Sequence, residues 1–157
     1  MSYWIEPVFD RTQEDVDFAI AKISEWIAAD SVRNQLIVRD LKGCLNVSDI
    51  NRIEGNIEYL AEKLGGYYYS PDTSTKSWTR VGMPNEKDIS RITNNVRALV
   101  DAFCQRSDAP NIPTDMRNYK EVNAIELNLF LIRELVDVMV NSFRKSGAFY
   151  CGNRAIL

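Results

Sequence analysis

A chain of 157 residues can bury about 70% of the surface that its unfolded form exposes, so a core can form without disulfide staples or a structural metal. Hydrophobic residues at 45% and charged residues at 26% match a folded globular protein and exclude disordered, collagen-like and purely coiled-coil chains. The net charge of −3 with no basic run argues against a nucleic-acid partner, and a chain without histidine cannot use Ser/His or Cys/His nucleophile pairs or the usual zinc sites.

The first residues, MSYWIEPVFD, lack a basic, apolar leader pattern and read as an extended aromatic segment. A helix is predicted near 12–29, where Val16, Ala19, Ile23 and Trp26 recur at helical spacing. The stretch ADSVRNQLIVRDLKGC then reads as a short helix or turn closed by Gly43. Next comes a helix near 46–64 with Ile50, Ile53, Ile57, Leu60 and Leu64 spaced 3, 4, 3, 4 along one face.

Between 67 and 82 the pattern changes. GGYYYS and KSWTRVG are β-prone runs around the turn-rich PDTST, which predicts a small β-hairpin. A third helix follows near 85–105 with the stripe Ile89, Ile92, Val96, Leu99 and Phe103. RSDAPNIPTD has the length of a crossing between antiparallel helices. It leads to a helix near 118–144 with Val122, Ile125, Leu129, Ile132 and Val136. Arg133, Glu134 and Asp137 interrupt that last helix too often for a membrane span. The closing SGAFYCG reads as extended, and either end of the chain could add a strand to the hairpin. Cys44, Cys104 and Cys151 are odd in number, without CxxC spacing, and read as reduced apolar residues; no cofactor and no metal are expected.

The helices repeat one another. LNVSDINRIEGNIEYLAEKL returns 39 residues later as PNEKDISRITNNVRALVDAF, and a shift of 72 finds the third copy. Each begins with a capping residue and, three places on, an acid: Thr12 and Asp15, Asn46 and Asp49, Asn85 and Asp88, Asn118 and Glu121. Such a box satisfies two orphan N–H groups and puts negative charge at the positive end of the helix dipole. A polar ridge flanks the stripes: Asp49, Arg52 and Asn56; Asp88, Arg91 and Asn95; Glu121 and Asn128, with Ala124 in place of the Arg. Such a ridge can present a ligand surface or hold neighbouring segments in register, and register is the more common use. The predicted fold is therefore mainly α, one helical domain over 1–157 built as a bundle of repeated capped helices with a small β-hairpin.

Tyr67, Tyr68, Tyr69 and Trp78 on the hairpin could stack on a sugar ring or cover the bundle core; the core lid is preferred, because a two-stranded ribbon must bury one face. No acid sits in a recognisable catalytic context, since each repeated acid is accounted for by a helix start. LGGYY lacks the Lys and Ser/Thr of a phosphate loop and reads as a turn.

Three stretches carry a resemblance. WIEPVFDRTQEDVD, LKGCLNVSDINRIEGNIEYLAEKL and FYCGN resemble a small module of prophage tail and baseplate-associated proteins of Gram-positive bacteria, with patterns close to W-x-x-P-V-x-D-R-T and L-K-G-x-L-N-x-x-D-x-N-R-I-E-x-N. The resemblance is strong over 4–17 and 41–64 and loose over 78–103. It implies a non-enzymatic structural or interaction role, cytoplasmic when made and virion-associated when assembled, with other virion proteins or further copies of the chain as partners. A carbohydrate-binding module using the aromatic hairpin is the alternative.

Overall fold

The computed structural model describes residues 2–28, 40–80, 82 and 84–153. The helices are α1 (Gln13–Ala28), α2 (Val47–Gly65), α3 (Glu86–Ala102) and α4 (Tyr119–Asn153). The expected short helix or turn over 29–44 falls largely on 29–39, outside the described residues.

Helices α2, α3 and α4 pack together through the repeated stripes. Ile53, Ile57, Leu60 and Leu64 meet Ile92, Val96 and Leu99, and both meet Ile125, Leu129, Ile132 and Val136 in one buried cluster. Burying a side chain of this size contributes about 1.5–3 kcal/mol, so the stripes alone explain why these helices associate.

All three run in the same direction. Arg52 in the second turn of α2 meets Glu126 in the second turn of α4, and Arg91 in the second turn of α3 meets Glu54 of α2. At the other end Tyr69, just past α2, sets its ring edge-on to Phe103, the residue that ends α3. The antiparallel crossing expected for RSDAPNIPTD is thus corrected: after each helix the chain must travel back the full length of the bundle before the next can start.

It does so as extended straps lying in the grooves between helices. Strap 1 is residues 2–11, strap 2 residues 70–79 and strap 3 residues 109–115; none is a strand, and there is no strand among the described residues. The predicted hairpin over 67–82 is not formed, because the β-prone run bonds its backbone to asparagine side chains and not to a second strand. The N-terminal segment is extended as expected but pairs in the same way. The C-terminal SGAFYCG is corrected as well. The backbone is helical through Asn153, so α4 has 35 residues against 19 in α2 and 17 in α3.

Helix α1 stands apart. The helix pairs that pack closely are α2 with α4, α2 with α3 and α3 with α4. Strap 1 ends where the other straps enter a bundle helix, but here the chain goes through α1 before returning at α2. Gly43 seats this excursion: a Cβ there would lie 2.0 Å from the backbone oxygen of Asp15, so only glycine permits the approach.

Candidate functional site

The boxes form locally. Thr12, Asn85 and Asn118 each accept from the N–H three residues on, and Asp15, Asp88 and Glu121 accept in return from the capping residue's own N–H. At Asn46 the N–H donates to Asp49 at 2.9 Å, closing the box on that side, and the Asn46 amide donates to the carbonyls of Leu41 and Cys44, tying the end of the excursion to the start of α2.

The asparagine ridge explains the straps. The Asn56 amide takes hold of one residue at both its polar groups, accepting from Ile5 N–H at 2.9 Å and donating to Ile5 C=O at 2.8 Å. Asn95 does the same to Ser74 at 3.2 and 2.7 Å. Asn128 donates to Pro110 C=O at 3.0 Å; proline has no N–H to give back, and Gln105 donates to the vacant amide oxygen. A primary amide has the donor and acceptor spacing of a peptide group, so each buried Asn acts as a one-residue strand and satisfies an otherwise orphaned backbone.

A second set of residues escaped the sequence reading. Asn51 holds Trp78 at both polar groups, and Asn123 holds Arg11. Positions 51 and 123 are 72 apart, as are Glu54 and Glu126; carrying the 72-residue shift that relates Asn56 to Asn128 over every polar position of α2 and α4 would have found both pairs. Strap 1 is thus gripped by α2 at one end and α4 at the other, and strap 2 by α3 and then α2. Strap 3 is held by Asn128 of α4 and by Arg97 of α3, which donates to Pro113 C=O at 2.8 Å.

Charge is buried in two of the three grooves. Arg11 from strap 1 and Arg52 from α2 both bond Asp49 and Glu126, at 2.8 and 3.0 Å and at 2.5 and 2.7 Å, closing a ring of two cations and two anions. Glu126, fully buried, also accepts from Val8 N–H at 2.7 Å. Burial pushes the Asp49 pKa up, but the Asn46 N–H and the Arg52 and Arg11 guanidiniums outweigh it and hold the carboxyl below its usual value. In the next groove buried Glu54 receives Arg91 at 2.9 Å and the Trp78 indole N–H at 3.1 Å, while Lys76 pairs with Asp88. In the third, Thr93 and Ala124 stand where the acid and the Arg would be.

The four aromatics expected to act together are dispersed. Tyr67 stacks on Phe143, Tyr69 packs against Phe103, and Trp78 is half-buried with Lys76 over its ring. Tyr69 and Trp78 border the core cluster. Tyr68 is 98% exposed and takes φ 69°, a left-handed conformation at the end of α2 where glycine is the usual choice. Two open clefts lie nearby: one of about 590 Å³ beside Asp72, Ser74, Arg91 and Asn95, and one of about 410 Å³ beside Tyr3, Trp4, Tyr59 and Lys63. Among the described residues no group of His, Cys, Asp or Glu side chains is placed to hold a metal ion, and no helix is long and apolar enough to cross a membrane.

The chain matches no family model, no curated protein and no solved structure.

Proposed function

We propose that this chain is a non-enzymatic structural or protein-interaction module of phage origin, working within a virion assembly such as a tail or baseplate. The phage origin rests on the resemblance of residues 4–17 and 41–64. The observation that carries the non-enzymatic reading is where those residues spend their polar groups. Arg11, Asp49 and Arg52 bond one another and Glu126; Asn51, Asn56 and Glu54 hold straps or a neighbouring helix; Asp10 pairs with Lys42 at the root of the excursion. A motif that a sequence reader would take for a site is here the lock of the fold, and a rigid lock is what an assembly component needs.

Co-expression with the products of neighbouring tail and baseplate genes tests the reading. A stable complex with one of them is the expected result. Retention on a glycan array, abolished by Tyr68→Ala, would replace it with carbohydrate recognition, and turnover of a glycan or peptidoglycan substrate would replace it with catalysis.

A further inference from the structure

The start of strap 1 and the last turns of α2 border an open cleft that the strap locks do not use. It holds about 410 Å³ and is lined by Ser2, Tyr3, Trp4, Tyr59, Glu62 and Lys63. Helical spacing builds one wall, because Tyr59, Glu62 and Lys63 stand at i, i+3 and i+4 on one face of α2. The strap is the other wall, and it is fixed here twice. Asn56 grips Ile5, while Ser2 donates to Glu62 Oε2 from its N–H at 3.2 Å and from its hydroxyl at 2.6 Å. Trp4 and Tyr59 also pack against the core cluster, so two of the three rings are held in place before any ligand arrives.

These rings already carry cations. The Lys63 ammonium lies 5.5 Å from the centre of the Tyr59 ring, and the Arg133 guanidinium lies 4.9 Å from that of Trp4. The two rings are 5.8 Å apart and tilted by 57°, so they form two walls and not a stack. Tyr3, 73% exposed, adds a third ring at the rim. An aromatic face is negative, and a carboxylate stands beside these three. The Ser2 hydroxyl and N–H hold the Glu62 carboxyl below its usual value, so it is ionised at neutral pH.

We propose that this cleft binds a methylated ammonium ion of the trimethylammonium type, between the rings of Tyr3, Trp4 and Tyr59 and with Glu62 as counter-ion. Rings grouped around an acid suit such a cation because it is attracted to the π faces and has no N–H that must keep its water. The ligand takes the place of Lys63 over Tyr59. A primary ammonium is strongly hydrated and gives up more on entering the cleft, and Lys63 is exposed, so it turns outward into solvent. A neutral sugar fits less well, since it stacks on flat open faces and Trp4 and Tyr59 each have a cation over the ring. The site goes beyond the module reading and leaves the strap locks untouched.

Calorimetric titration of the full chain with choline chloride tests the site, with the alcohol in which a tert-butyl group replaces trimethylammonium as the uncharged molecule of the same shape. Choline should bind at least about tenfold more tightly than that alcohol. Tyr3→Ala and Glu62→Gln, both at exposed positions, should each weaken choline binding by about threefold or more, and Lys63→Ala should strengthen it by removing the competing ammonium. Trp4→Phe keeps an apolar ring with a weaker π face and should lower affinity, with unchanged hydrogen exchange at Ile5 showing that strap 1 is still seated. Acetylated trimethyl-lysine separates the two sources of this headgroup: tighter binding than choline assigns the cleft to a modified lysine, weaker binding to a choline group. Absence of binding by either ion at millimolar concentration, equal binding of the neutral alcohol, or an affinity unmoved by both Tyr3→Ala and Glu62→Gln each overturns the proposal. None of these results bears on a complex with a separate virion protein, which has its own co-expression test.

Discussion

The groove between α2 and α4 and the groove between α3 and α4 do the same job with different chemistry. The first holds strap 1 with two asparagines and a closed ring of four charges. The second holds strap 3 with Asn128, Gln105 and Arg97, and has Thr93 and Ala124 where the ion pair would sit. Amide grips are therefore the part of the repeat that every groove needs, because every returning strap brings backbone groups that must be satisfied. Buried charge is extra, and it carries identity. Arg52 fits Glu126 and Arg91 fits Glu54, so the ion pairs tell α2 which side faces α4 and which faces α3, information that three near-identical apolar stripes do not hold.

Breaking the first groove should cost most. Glu126→Ala leaves Arg11 and Arg52 short of an acid in a buried site and should destabilise the fold by about 3–5 kcal/mol in urea unfolding; a loss below about 1 kcal/mol would show that water reaches the ring. Acid attacks the same ring reversibly. The folded-state pKa of Asp49 is held below its usual value of 3.8, so its contribution is fully present above that value and is lost as pH falls through the lower folded-state pKa. Asp49→Asn should flatten the pH dependence of stability below about pH 4 and leave its shape at neutral pH unchanged.

The amide grips rank next. Asn95→Ala strands the Ser74 backbone and should cost about 1–3 kcal/mol, with hydrogen exchange at Ser74 accelerating while Ile5 keeps its protection. If both straps loosen together, the grooves are not independent. Gly43→Ala should be comparable, about 1–3 kcal/mol as for other overpacked sites, but its damage should fall on α1 and leave exchange in α2 to α4 unaltered. Smallest is Tyr68→Gly, which relieves a left-handed residue and should stabilise the protein by up to about 1 kcal/mol.

How much of this could be read in advance follows from how local each feature is. Caps and stripes need only neighbours three and four residues away, so Thr12, Asn85 and Asn118 and the faces built on Ile53, Ile92 and Ile125 were legible. Asn56, Asn95 and Asn128 stood out as a ridge, but not the straps they hold, because a single amide can satisfy an extended backbone with no cue in the strap's own sequence. That same substitution misled the reading of 67–82: aromatic and branched residues favour extended backbone, and extended backbone does not require a partner strand. Helix direction was hidden as well, since a ten-residue connector serves a crossing as readily as part of a return. Arg11 was not singled out in the sequence, and its role emerges only where strap 1 passes Asp49 and Glu126.

Parallel helices joined by returning straps also determine how the chain must find its shape. In a bundle of antiparallel hairpins each helix meets its neighbour across a short turn, and folding is fast because little loop entropy is lost before contacts form. Here Arg91 reaches back 37 residues to Glu54, Arg52 reaches 74 to Glu126, and Arg11 reaches 115 to the same acid. The protein has the secondary structure of a fast helical folder and the long-range wiring of a β-sandwich. Its refolding rate should fall with the second group, and the last event should be strap 1 closing over a groove whose other wall is more than a hundred residues away along the chain.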